Sequence, residues 1–150
     1  MRDRLAQATK AALKSQDRAR LSALRLISAA LQEREIAQRT DALSEADTLA
    51  VLQKMLKQRR DSLAIYQGAG RQDLAEQEAK EITVIEEFLP KQMAQGDVRS
   101  AIAAVIKDVG ATSPREMGKV MAALKSRYAG QMDFAKASAL VKELLAAASP

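Results

Sequence analysis

The stretch that decides the fold is "GATSPREMGKVMAALKSRYAG", residues 110–130. Ser113, Pro114 and Glu116 are typical of a helix start, because a capping box and a proline in the first turn both favour one. On a helical wheel the apolar residues fill one arc of about 100°, and the charged residues lie outside it. The apolar residues are Met117, Val120, Met121, Leu124 and Tyr128. The stretch therefore predicts a helix that packs on one side only.

The same periodicity continues along nearly all of the 150 residues, and no strand pattern of useful length interrupts it. Hydrophobic residues make up 47% of the chain but aromatic residues only 3%, which favours a core of aliphatic side chains between helices. We predict an all-α protein. The expected helices cover residues 2–15, 18–39, 45–67, 73–89, 97–110, 114–130 and 134–147, with Asp17, Ser44, Asp97, Ser113 and Asp133 as N-terminal caps.

Pro90 marks a predicted domain boundary, since proline ends a helix and a polar segment follows it up to residue 97. Residues 1–92 are expected to form an N-terminal region of four helices, arranged as a hairpin or bundle. Residues 97–148 are expected to form a small three-helix C-terminal domain.

Several kinds of chemistry are excluded by composition. The chain has no Cys and no His, so disulfides, thiolate nucleophiles and imidazole bases are absent. The "GAGRQD" segment at residues 68–73 follows a helix and lacks a Gly-Lys-Ser/Thr ending, so it is not a phosphate loop. We predict no catalytic residue, no metal and no cofactor. No apolar run is long enough for a membrane span and no signal peptide is visible, so we expect a cytoplasmic protein.

The charge is unevenly distributed along the chain. Residues 1–90 hold 15 Lys and Arg against 14 Asp and Glu, whereas residues 91–150 hold 9 against 5. An acidic partner is therefore expected at the C-terminal region. The candidate RNA-binding residues are Arg115, Gly118, Lys119, Lys125, Arg127, Lys136 and Lys142. A merely solvated face is the alternative interpretation. For Gly118 we favour tight packing of a neighbouring helix, with the approach of a ligand backbone as the alternative.

A second group of charged residues interrupts apolar helix faces in the N-terminal region. Arg59 lies within the apolar arc of the third helix, and Glu78 and Glu81 lie within that of the fourth. The two helices are joined by a short loop near Gly70, so an antiparallel arrangement brings Arg59 level with Glu81. We predict a structural ion pair of Arg59 with Glu81, or with Glu78 one turn away, because a lone buried charge is costly.

Three blocks of sequence resemble the GatB/YqeY family. They are "RLSALRLISAALQEREI" (20–36), "VLQKMLKQRRDSLAIYQGAGRQDLAEQEAKEITVIEEFLPKQM" (51–93) and the stretch at 110–130. The resemblance implies an all-α protein related to the helical and tail domains of the B subunit of a glutamine-dependent aminoacyl-tRNA amidotransferase, whose tail helps to recognise tRNA. The family's tail motif falls on Gly118, Lys119, Lys125, Gly130 and Asp133. Gln131 departs from it, since a basic residue is usual there.

The leading functional hypothesis is a non-catalytic tRNA-related binding protein. The family resemblance associates the protein with carbon–nitrogen ligases that use glutamine as amido-N-donor. Nothing in the chain resembles the catalytic parts of those enzymes, so we do not expect the chain alone to be enzymatically active. Aminoacylation or amidotransferase proteins are further expected partners. The rival hypothesis is a helical protein-interaction adaptor that does not bind RNA. A third is an enzyme with a carboxylate–lysine site.

Overall fold

The protein is all-α. In the computed structural model, which describes residues 1–148, seven α-helices and one short 3₁₀ turn account for all of the regular secondary structure. The helices are α1 (Arg2–Ser15), α2 (Arg18–Gln38), α3 (Glu45–Gly68), α4 (Gln72–Glu87), α5 (Gln95–Val109), α6 (Met117–Arg127) and α7 (Phe134–Ala148), and the 3₁₀ turn is Pro114–Glu116. They form two compact units, Met1–Pro90 and a second unit that begins at Lys91. Across residues 1–148, no helix is both long and apolar enough to cross a membrane.

Polar caps set several of the helix starts. Asp17 accepts a hydrogen bond from the Arg20 N–H, and Ser44 accepts one from the Asp47 N–H. Each cap satisfies a backbone donor that has no partner inside its helix. The prediction that Asp97 caps the fifth helix is wrong, because α5 already begins at Gln95. Asp97 instead lies in the first turn, where a carboxylate interacts favourably with the helix dipole.

In the first unit, α3 and α4 form an antiparallel hairpin, and α2 packs against both α4 and α1. Its most deeply buried side chains come from three helices: Leu24 and Ile27 of α2, Leu52 of α3, and Ile85 of α4. Burying a leucine or isoleucine contributes roughly 1.5–3 kcal/mol each, so this mainly aliphatic core, to which Phe88 adds one buried ring, stabilises the unit.

In the second unit, α5, α6 and α7 pack pairwise around a core of their own. Val105, Val120, Leu124, Val141 and Leu145 are completely buried there. The predicted ends of α2, α4, α5 and α6 are one to three residues too late, and the difference is largest for α6, which stops at Arg127 rather than at Gly130. Gly130 follows in a left-handed conformation with φ of 73°, which suits a glycine after a helix end.

Candidate nucleic-acid interface

Glu116 is the acidic residue immediately before α6, and backbone hydrogen bonds hold its side chain in place. The Glu116 carboxylate accepts the backbone N–H of Thr112 at 2.6 Å and that of Ser113 at 3.3 Å. The hydrogen bond from Thr112 is the main reason that the pKa of Glu116 is lowered, and the positive charge of Lys119 adds to the effect. Beyond Glu116, the helix from Met117 to Arg127 contains no Asp or Glu. The outer side of α6 therefore has no carboxylate of its own.

An exposed face of α6 brings together four of the candidate residues. We call Arg115, Gly118, Lys119, Ala122 and Lys125 the α6 cationic face; all five are exposed. At 100° per residue the four that belong to α6 span an arc of about 120°, away from the buried Val120 and Leu124, and Arg115 precedes them in the 3₁₀ turn. Gly118 and Ala122, together with the exposed Ser126, leave the centre of this arc free of bulky side chains. Ala122 and Ser126 were not among the predicted site residues, although they follow Gly118 at intervals of four residues and so lie on the same side of the helix.

The cations of α6 differ in whether a carboxylate neutralises them. Arg127 Nη1 lies 2.7 Å from Asp108 Oδ2 on α5, so Arg127 belongs to a surface ion pair at the α5 edge of the helix. Within residues 1–148, Arg115, Lys119 and Lys125 form no direct ion pair. These three charges remain available to an anion that comes from outside the chain.

The two α7 candidates are not brought together as a second cluster. Asp133 begins this helix by accepting the N–H of Ala135 at 2.9 Å and that of Lys136 at 3.4 Å. Lys136 and Lys142 are both exposed, but they lie about 120° apart around the helix. Glu143 lies close to Lys136 in rotation, which reduces the positive potential there. The seven candidates therefore divide into four on the α6 cationic face and three at separate positions.

Gly118 has no packing role. The predicted explanation, close packing of a neighbouring helix, is wrong: Gly118 is exposed, and a Cβ built on it would meet nothing within 4 Å. It is also absent from the glycines that adopt positive φ, which are Gly70, Gly110 and Gly130. The fold thus provides neither a steric nor a conformational reason for glycine at this position of the helix. The alternative, the approach of a ligand backbone, stays a prediction.

The first unit holds the predicted charge cluster. Arg59 Nε lies 2.7 Å from Glu81 Oε2 and 3.8 Å from Glu78 Oε2, so the α3–α4 hairpin brings all three residues together. Glu81 is only 8% exposed. Arg59 Nε and Glu78 Oε2 are buried without a well-aligned hydrogen bond. Burial raises the pKa of Glu78, and the neighbouring Glu81 raises it further, while Arg59 opposes both. One guanidinium thus compensates two carboxylates inside a helix seam.

Comparison with known proteins gives two matches. A family model described as "Yqey-like protein" matches residues 2–145. "Altered inheritance of mitochondria protein 41, mitochondrial" from Kluyveromyces lactis is 28% identical over 113 residues, which is 73% of this chain. The match covers 60% of the yeast protein's length, so the chain corresponds to only part of that protein. In the described part of the chain, no group of three or more His, Cys, Asp or Glu side chains is arranged to hold a metal ion.

Proposed function

The chain belongs to the YqeY-like protein family, and we propose that it is a non-catalytic tRNA-binding protein whose second unit contacts the phosphate backbone through the α6 cationic face. The observation that carries this proposal is a set of three exposed cations: Lys119 and Lys125 on a helix without any carboxylate, and Arg115 in the 3₁₀ turn before it. The resemblance to the tRNA-recognising tail of the amidotransferase B subunit supports tRNA as the anion.

The composition favours recognition of the backbone over recognition of bases. The whole chain has two Phe, two Tyr and no Trp, so it offers few rings on which an unpaired base could stack. Lys and Arg neutralise phosphates without reading sequence, and a helix face with small central residues lets the phosphate chain approach closely. The proposed binding thus depends on the shape and charge of folded RNA. We place no step of the amide-transfer reaction on this chain.

The salt dependence of tRNA binding tests the proposal. Each phosphate that a lysine neutralises adds about 0.7–0.9 to the slope of log K against log salt. We expect Lys119→Glu combined with Lys125→Glu to weaken tRNA binding by at least about tenfold near 50 mM salt and to reduce that slope by about two. Fluorescence anisotropy with labelled tRNA, titrated at several salt concentrations, measures both quantities.

A matched control separates a local effect from a general loss of positive charge. Lys54→Glu combined with Lys80→Glu changes the net charge by the same amount on exposed positions of α3 and α4. This control should retain nearly all of the tRNA affinity. Equal losses in the two double variants, with unchanged circular dichroism, would contradict the assignment of the α6 cationic face.

A further inference from the structure

The first unit contains a groove between α1 and α2 that the proposed RNA contact does not use. It has a volume of about 540 Å³, and its floor is formed by Leu5 and Leu31, both nearly buried. Its walls carry small side chains, Ala6 and Thr9 on α1 and Ser28 on α2. Small residues along two neighbouring helices leave room for a third helix to come close. A groove lined in this way can accept a further helix, as helices pack side by side in a bundle.

Beyond the groove, toward the α1–α2 turn, a leucine lies on the corresponding side of each helix. Leu13 follows Thr9 by four residues, so it lies on the same side of α1, and it is 52% exposed. Leu21 precedes Arg25 and Ser28 along the matching side of α2 and is half-buried. Leu13 and Leu21 thus extend the apolar surface at this end, and it is a contiguous apolar surface, rather than one exposed leucine, that is typical of a site covered by another protein.

The charges at the two ends of the groove differ. At one end Arg2 is paired with Glu35, so that end is neutral. Toward the other end, Lys10 on α1 lines the groove, and Arg25 lies just beyond it, on the same side of α2 as Ser28. Neither forms a direct ion pair within residues 1–148. Among the described residues, Glu35 is the only carboxylate that lines the groove, and Arg2 already compensates it. The groove thus combines an apolar floor with a cationic rim.

We propose that the α1–α2 groove binds an acidic amphipathic helix of a partner protein. The apolar side of such a helix, with leucines at positions i, i+3, i+4 and i+7, would cover Leu5, Leu13 and Leu31. Its Glu or Asp residues would flank that side and reach Lys10 and Arg25. A nucleic acid fits this surface poorly, because it offers no apolar side to cover exposed leucine.

The proposal does not depend on tRNA binding by the second unit. The two surfaces share no residue, so either proposal can be contradicted while the other stands. The full chain is used in every measurement, and the probe is a fluorescein-labelled 15-residue peptide in which Leu occupies positions i, i+3, i+4 and i+7 and Glu fills the flanks. A second peptide carries Lys in place of every Glu. Anisotropy gives the affinity of each peptide, and ¹⁵N–¹H spectra locate the contact.

We expect the acidic peptide to bind more tightly than the basic one and to shift the amide signals of residues 5–13 and 21–32. Leu13→Gln should weaken binding of the acidic peptide about three- to tenfold. Lys10→Glu combined with Arg25→Glu should reverse the preference in favour of the basic peptide. The control Lys54→Glu with Lys80→Glu should leave the preference unchanged.

Four outcomes would overturn the proposal. The first is binding of the acidic peptide that is insensitive to Leu13→Gln and lost entirely with salt, since that describes attraction of charge alone. The second is binding of phosphatidylglycerol vesicles but not of the peptide. The third is a loss of tRNA affinity in the Lys10 and Arg25 double variant. The fourth is a concentration-dependent dimer in sedimentation that Leu13→Gln abolishes, because the occupant would then be a second copy of the chain.

Discussion

Gly118→Ala is predicted to stabilise the protein. Glycine within a helix costs about 0.5–1 kcal/mol relative to alanine, because the unfolded chain has more conformational freedom to lose. That gain is realised only if the new methyl group fits, and here a Cβ would meet nothing within 4 Å. Gly118 also lies outside the positive-φ region, so alanine brings no backbone strain. Urea denaturation should therefore show the free energy of unfolding rise by about 0.5–1 kcal/mol.

A longer side chain at the same position separates stability from binding. Gln is a better helix former than Gly, so Gly118→Gln should be at least as stable as the natural protein. Its side chain would cover the centre of the α6 cationic face and hold a phosphate backbone away from Lys119 and Lys125. We expect tRNA affinity to fall about three- to tenfold and the salt slope to decrease. Ala104→Gln, at an exposed position on α5, is the matched control and should change neither.

Two results would refute this reasoning in different ways. If Gly118→Ala lowers the free energy of unfolding, the fold itself requires a glycine there, contrary to the open space around it. If Gly118→Gln folds normally and binds tRNA with natural affinity and salt slope, no ligand backbone approaches α6 at this position. The first result tests the structure, and the second tests the function proposed from it.

Three further predictions concern stability. Arg59→Met should destabilise the first unit by about 3 kcal/mol in urea denaturation, because it leaves the buried carboxylate of Glu81 uncompensated, and adding Glu81→Gln should recover much of that loss. Burial raises the pKa of Glu78, so the folded protein disfavours its ionised form, and the free energy of unfolding declines as pH rises through the folded pKa. Glu78→Gln should therefore be more stable than the natural protein at pH 7. The difference should vanish below about pH 4, where Glu78 is protonated in both the folded and the unfolded protein. A difference that does not change with pH would contradict that account. Asp133→Ala should cost about 1 kcal/mol, since it removes the cap of α7, and an unchanged melting temperature would argue against it.

The features that sequence reasoning predicts well are those determined by neighbouring residues. Asp17 and Ser44 cap the helices that they were expected to begin, because a cap needs only a side-chain oxygen and a backbone N–H three residues later. Even the juxtaposition of Arg59 with Glu81 follows from a local count, since both are equally distant from the loop at Gly70. A short connection between two helices fixes their register, so residues at equal distances from the loop can be predicted to lie side by side.

The features that sequence reasoning misses depend on which helices become neighbours. The role of Gly118 was misjudged because a wheel gives the direction of a residue but not what stands in that direction. Arg127 and Asp108 lie 19 residues apart on different helices, and nothing in either helix alone indicates that they meet. The groove between α1 and α2 likewise exists only where the two helices meet. In the sequence of each helix alone, the residues that form its walls are an ordinary mixture of small and polar residues.

Binding surfaces are better located by asking which cations are already paired with carboxylates than by the net charge of a region. In the first unit Arg20, Arg59 and Arg60 all contact carboxylates of α4, so much of its positive charge is already used within the fold. The near balance of charge in residues 1–90 therefore hides an unpaired rim at Lys10 and Arg25, and the excess in the last third includes Arg127, which is neutralised. A cation left unpaired beside small or apolar residues gains more from an external anion than one that already has a carboxylate. By that criterion we propose the α6 cationic face and the α1–α2 groove as separate binding surfaces, the first for phosphate and the second for an acidic peptide.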